Sequence, residues 1–382
     1  MKKIFYVVTL FAGMLLLGSV SAESPSAASP PLGLPPVPIP ENNPQTPEKI
    51  ALGDKLFNDA RFSSTGEVSC ATCHAADKVF TDSPLNVSEG IDKLTGTRNA
   101  PTVVNSAYFA KQFWDGRSPD LEDQALHPFT NPVEMGLADH QPILDIVRTD
   151  AEYVKAFKEV FGKSGEAITM TEVTRAIAAF ERTQVSANSP FDHYFYGGKE
   201  DALTPAQKRG FDLFVNEGRC VSCHVIEQTQ ALFTDNRFHN IGVGINDIQK
   251  EVPALAKEFL EAEATASEVD VQVLTDARTS ELGRFAISRA FDDLGSFKTP
   301  TLRNVAVTAP YMHDGSLETL DDVIVHYNNG GVLLDGDPVN DFLSGGIRPL
   351  NLTDDQQEDL VAFMEALTSP EFAAEADPAG GK

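Results

Sequence analysis

The pentapeptide Cys70-Ala71-Thr72-Cys73-His74 returns 150 residues later as Cys220-Val221-Ser222-Cys223-His224, and these are the only four cysteines in the 382-residue chain. Two cysteines three apart, followed at once by a histidine, form the attachment signature of a c-type haem. The thiols bond to the vinyl groups of the porphyrin and the adjacent histidine reaches the iron. Cysteine and histidine also build zinc sites. Two copies, no spare cysteine and a leader of the export type favour haem, so the chain reads as a two-haem protein with Cys70, Cys73, Cys220 and Cys223 as anchors and His74 and His224 as iron ligands.

The leader is residues 1–22. Lys2 and Lys3 precede an apolar run from Ile4 to Val20, and Val20-Ser21-Ala22 offers a small-residue cleavage site. The run is short for a membrane span, and no cysteine follows it directly to carry a lipid. The expectation is a signal peptide, a periplasmic location and no membrane association after cleavage. Losing two lysines and no acid takes the formal charge from −26 to −28. Nucleic acid, which is bound through positive charge, is excluded as a partner. An acidic surface instead suits a basic protein partner, such as a small electron carrier.

Nine prolines lie between Ser24 and Pro47, so residues 23–45 read as an extended arm. Thr46-Pro47-Glu48 then caps a helix bearing Ile50, Leu52, Leu56 and Phe57. The second half repeats the plan: Thr204-Pro205-Ala206-Gln207 is a capping box, and Gly210-Phe211-Asp212-Leu213-Phe214 echoes Gly53-Asp54-Lys55-Leu56-Phe57. Each haem motif is followed by the same tripeptide, Phe80-Thr81-Asp82 and Phe233-Thr234-Asp235. Further helices are expected over Asp139–Phe161, Thr169–Thr183, Leu317–Tyr327 and from the Thr353 cap to Leu367. Ser186–Gly198 reads as a linker. Residues 245–295, with eight acids from Glu251 to Glu281, read as an acidic surface insertion of a short helix and loops without chemistry. Strand-like alternation is nearly absent. The expected fold is mainly α: two cytochrome c-like domains, 46–188 and 189–370, each with one covalently bound c-type haem, then a tail over 371–382.

Several further segments carry a resemblance. Asn99-Ala100-Pro101-Thr102, Phe113-Trp114-Asp115-Gly116-Arg117, Asn131-Pro132-Val133-Glu134-Met135, Thr299-Pro300-Thr301-Leu302-Arg303-Asn304 and Pro310-Tyr311-Met312-His313-Asp314-Gly315 together resemble the bacterial dihaem cytochrome c peroxidases and their MauG-type relatives. The resemblance implies that the first haem is peroxidatic and the second passes electrons. It makes Trp114, the only tryptophan, the stepping stone between them. Gln124 and Glu134 then become the distal pair of the first haem. Splitting an O–O bond requires a proton to move from the inner to the outer oxygen, which a carboxylate such as Glu134 can carry. The family also implies one calcium ion, held by the Asn99 side chain and the carbonyls of Thr308 and Pro310, an oxygen set suited to that ion.

Two positions depart from the peroxidase pattern. Where many of these enzymes carry a histidine that caps the resting peroxidatic iron, this chain has Ile91, and no histidine lies between His74 and His127. Where the peroxidases place a methionine on the second iron, it has Tyr327, as the MauG branch does. Phenolate stabilises oxidised iron and methionine raises the potential. His326 and Met312 are the competing ligands. The expected activity is reduction of hydrogen peroxide to water with electrons from a small cytochrome c or cupredoxin. The alternatives are a MauG-like oxidase, using peroxide-derived high-valent iron on a protein substrate, and a non-catalytic dihaem carrier. The resemblance also admits a homodimer.

Overall fold

The computed structural model describes residues 30–334 and 336–374. The expected signal peptide, the start of the arm and the end of the tail lie outside the described residues. The Thr46 hydroxyl accepts from Lys49 N and starts the helix Pro47–Phe57, which turns Leu52, Leu56 and Phe57 inward. Its partner is Met170–Glu181, opened by the Thr169–Glu172 capping box. The two cross at Gly53, where a Cβ would stand 1.9 Å from Ala176 O; only a residue without a side chain permits that approach. The second half repeats this packing with Pro205–Val215 and Asp354–Glu365. There a Cβ on Gly210 would stand 1.8 Å from Asp359 O. The echoed Gly-X-X-Leu-Phe therefore has a physical cause: glycine lets the backbones touch, and Leu-Phe fills the core one turn on.

Each pair of helices has its own core. The first gathers Leu56, Phe62, Phe129, Phe157 and Ile177, and the second Phe191, Phe214, Phe233, Phe363 and Leu367. Among the described residues the only strand pairing is Phe238–His239 against Phe297–Lys298, antiparallel and two residues long. The molecule is mainly helical, as its sequence pattern implies.

Three segments differ from the sequence expectation. Asp139–Phe161 is two helices, Gln141–Thr149 and Ala151–Phe161, because the Asp150 carboxylate turns to cap the second. The expected linker carries a helix, Pro190–Phe195, whose Phe191 is fully buried in the second core. The acidic insertion is not loops on a surface. It folds as helices Val252–Glu261 and Ala266–Thr275 with two shorter turns, around a core of Val252, Phe259, Val273 and Phe285. Except for the buried Asp270 and the half-buried Glu281, its acids from Glu251 to Glu281 are exposed, so a count of charge hides the apolar stripe beneath.

The arm is packed, not free. Gly33 O accepts from Ala231 N at 2.9 Å and from Arg303 Nη2 at 2.8 Å, while Pro35 O accepts from the Tyr108 hydroxyl at 3.0 Å. Gly33 has φ +89°, and a Cβ there would meet Asp192 Oδ1 at 1.9 Å. Asp192 and Arg303 form a fully buried pair at 2.9 Å. The arm thus straps the first half to the second.

Candidate functional site

Two cavities open around the repeated motifs. The first, about 150 Å³, is lined by Cys70, Cys73 and His74, and the second, about 630 Å³, by Cys220, Cys223 and His224. In each, the histidine Nδ1 donates to a backbone carbonyl: His74 to Phe80 O at 3.2 Å and His224 to Phe233 O at 2.9 Å. Those phenylalanines open the repeated Phe-Thr-Asp tripeptide. Both sit in the left-handed region, at φ +55° and +52°, a conformation bulky residues avoid. The turn aims the carbonyl at the ring, fixes the tautomer and leaves Nε2 as a lone-pair donor. Burial holds both imidazoles below the ordinary histidine range, with the carbonyl contact pulling the other way, so both stay neutral and able to ligate.

Three of the four thiols are held protonated by their surroundings. Burial pushes the Cys70 thiol up, and those of Cys73 and Cys220 to about 12, which disfavours the thiolate that zinc requires. Cys223, Asp235 and His239 bring ligand atoms within 4.8 Å of one another, but this cysteine is one that the attachment motif commits. The walls also fit a carboxylate-bearing macrocycle. Arg98 in the first cavity and Arg219 in the second keep buried guanidinium N–H groups without protein partners. A buried cation is costly unless paired, and haem propionates are carboxylates. Lys298, buried in the second wall, is pushed down to about 7 by that burial. None of these three cations was singled out by sequence motif.

The distal residues separate the cavities. Gln124 and Glu134, ten residues apart in sequence, both line the first. Glu134 Oε2 is buried with no partner. Burial drives its carboxyl up to about 7, against the opposing charge of Arg117. A carboxyl balanced near neutrality can take and return a proton. Ile91 is absent from the lining: its N donates to Glu134 O at 2.9 Å, and its side chain packs against Gly136. Glu181, unremarked in the sequence, also faces this cavity, with burial raising its carboxyl to about 8.

In the second cavity Tyr327 shares the wall with His224. Burial, and then the two neighbouring thiols, drive its phenol above the ordinary range. His326 turns away: its Nε2 bonds Ile241 O at 2.9 Å, and it does not line the cavity. Met312 does line it. Trp114 and Asn99 border both cavities, and the indole Nε1 donates to Asn99 O at 2.9 Å. Thr308 and Pro310 lie in the same second wall as Asn99. The Asn99 amide nitrogen donates to Asn86 O at 3.1 Å, which leaves Oδ1 for another partner.

Two cavities in one helical chain, each with an attachment motif, an oriented histidine and an unpaired buried cation, define a protein of the dihaem class. Known proteins agree. The family model described as "Di-haem cytochrome c peroxidase" matches residues 47–201. Cytochrome-c peroxidase IdrP1 of Denitromonas iodatirespirans is 37% identical over 350 residues, 89% of this chain and 87% of that protein. Methylamine utilization protein MauG of Methylorubrum extorquens is 35% identical over 331 residues, 86% of this chain and 81% of the other. The crystal structure of a MauG-like protein associated with microbial copper homeostasis superposes with a TM-score of 0.72 at 34% identity, covering 91% of this chain and 96% of that one. The chain belongs to the dihaem cytochrome c peroxidase and MauG family and is a peroxidase-type oxidoreductase. Among the described residues no helix is long and apolar enough to cross a membrane.

Proposed function

We propose that this chain is a periplasmic dihaem cytochrome c peroxidase with two cytochrome c-like domains, 46–188 and 189–370, each carrying one covalently attached haem. It reduces hydrogen peroxide to water at the first cavity with electrons that a small cytochrome c or cupredoxin delivers to the second. The observation that carries this reading is the unpartnered, buried Glu134 carboxyl facing the same cavity as His74 and Gln124. A bound first haem supplies the iron at which peroxide is activated. Glu134 takes the proton from the inner peroxide oxygen and gives it to the outer one, while the Gln124 amide orients the pair. Ile91, tied back against Gly136, leaves that face open. Trp114, held by Asn99, offers an aromatic step between the cavities. Asn99 Oδ1 with the carbonyls of Thr308 and Pro310 is the proposed calcium set.

Tyr327 favours a second reading, the MauG-like oxidation of a protein substrate, because its phenolate, were it to hold the second iron, would stabilise the oxidised state. One experiment separates the two. Purified oxidised protein is mixed with hydrogen peroxide, followed by reduced small cytochrome c. Donor oxidation over many turnovers supports the peroxidase. A long-lived spectral change with slow donor oxidation supports the second reading. A spectrum untouched by peroxide overturns both and leaves an electron carrier.

A further inference from the structure

The insertion reaches the first cavity. One oxygen of Asp270, on the helix Ala266–Thr275, accepts from Arg117 Nε at 2.7 Å and faces His127 Nδ1 at 3.2 Å. At its other end Arg117 Nη1 donates to both oxygens of Asp115, 3.1 Å each. The Phe113 ring centre lies 3.5 Å from the guanidinium carbon. Two carboxylates and a ring therefore fix one guanidinium plane, and Arg117 lines the cavity beside Gln124 and Glu134. With Nε and Nη1 committed, Nη2 is the donor left for a ligand. The insertion is docked firmly enough to hold this arrangement: Thr97 Oγ1 donates to Val273 O at 2.7 Å, and Arg284 Nη1 donates to Asp115 O and Gly116 O at 3.0 and 2.9 Å. Burial works against the Asp270 charge, yet His127 and Arg117 hold its carboxyl down at about 2.

We propose that Arg117 is a third catalytic residue of the first cavity, a cationic donor to the anionic oxygen of the bound oxidant, and that Asp270 of the insertion positions it. The proposal rests on the peroxidase reading. When the O–O bond breaks, the bonding pair goes to the outer oxygen, which takes the proton passed by Glu134 and leaves as water. Two electrons from the reduced redox protein and two protons from solvent carry the other oxygen to a second water. Arg117 acts where the pair lands: a fixed N–H and a fixed positive charge stabilise that oxygen without reorganising. A purely structural Asp270 would anchor the insertion and leave ligand affinity unchanged, which gives the test its second readout.

Fluoride, a small anion that binds open ferric haem, is titrated spectroscopically into wild type, Arg117→Lys and Asp270→Asn, each first checked for two attached haems. Arg117→Lys keeps the charge and loses the fork. Loss of a charge-assisted hydrogen bond is expected to weaken fluoride binding roughly tenfold or more in Arg117→Lys. Asp270→Asn, which keeps the shape and loosens the clamp, should weaken it by less, and both should slow the peroxide step in the same order. Wild-type affinity in both haem-loaded variants overturns the proposal, as does a wild-type protein that binds no fluoride. If wild type fails to turn over peroxide but fluoride affinity still follows Arg117 and Asp270, the peroxidase reading falls and the anion site stands. Should Arg117→Lys lose its haem, the Asp270→Asn titration alone decides.

Discussion

The two halves share the frame around the Cys-X-X-Cys-His motif and differ in what lies across the cavity from it. Each crosses two helices at a glycine, anchors a Cys-X-X-Cys-His turn, and steadies the histidine on a left-handed phenylalanine carbonyl. Five residues after the residue that each glycine meets, Ala176 and Asp359, the first half has Glu181 and the second Met364, and both side chains line their cavities. Beyond that point the first cavity adds the Glu134 carboxyl and the Gln124 amide, and the second the Tyr327 phenol. The two halves thus repeat one frame, and the side chains across each cavity set them apart. On the proposed reading the Glu134 carboxyl belongs where the bond to oxygen breaks, and the Tyr327 phenol where electrons are passed on.

That contrast can be broken most severely by removing one anchor. Cys70→Ala with Cys73→Ala should leave a protein with one covalent haem and no peroxide reduction, read by denaturing haem stain and by the loss of donor oxidation. A less drastic change separates holding from reacting. Glu134→Gln should keep both haems and slow the peroxide step by about 10²- to 10⁴-fold in stopped-flow absorbance. Because burial places this carboxyl at about 7, the wild-type step should rise with pH as the carboxylate form fills in, and the variant should lose that limb. The second site should answer to a different change. Tyr327→Phe should raise the potential of one haem only, seen in a spectroelectrochemical titration, while first-site peroxide cleavage stays near wild type. The smallest effect tests the shared frame. Gly53→Ala and Gly210→Ala should each destabilise by about 1–3 kcal/mol through backbone overpacking, and the thermal transitions of the two variants should shift by similar amounts.

The repeat and the paired helices that cross in each half were legible because they rest on local chemistry: capping boxes, a tight glycine and a five-residue motif. Gln124 and Glu134 were legible only through their likeness to relatives, since nothing in their spacing from Trp114 places them on one wall. Tyr327 was legible through likeness to the MauG branch, and helical geometry added only that His326, its neighbour, points about 100° away from it. The Phe-Thr-Asp repeat was visible but its purpose was not, because a carbonyl has no sequence signature. Asp270 was illegible. It sits 153 residues from Arg117, in a segment whose composition suggests only solubility, and its role depends on a core that is read from burial and not from charge.

The strap across the two halves bears on how the molecule is assembled. Gly33 bonds a residue 270 positions later in the chain, so the first residues of the arm to be made wait for some of the last. Closing so long a loop is slow relative to local helix formation. The helix pair of each half can therefore form before the arm is seated, and the buried Asp192–Arg303 pair that receives it is completed only once the second half has been made. The arm works as a clasp that fastens last.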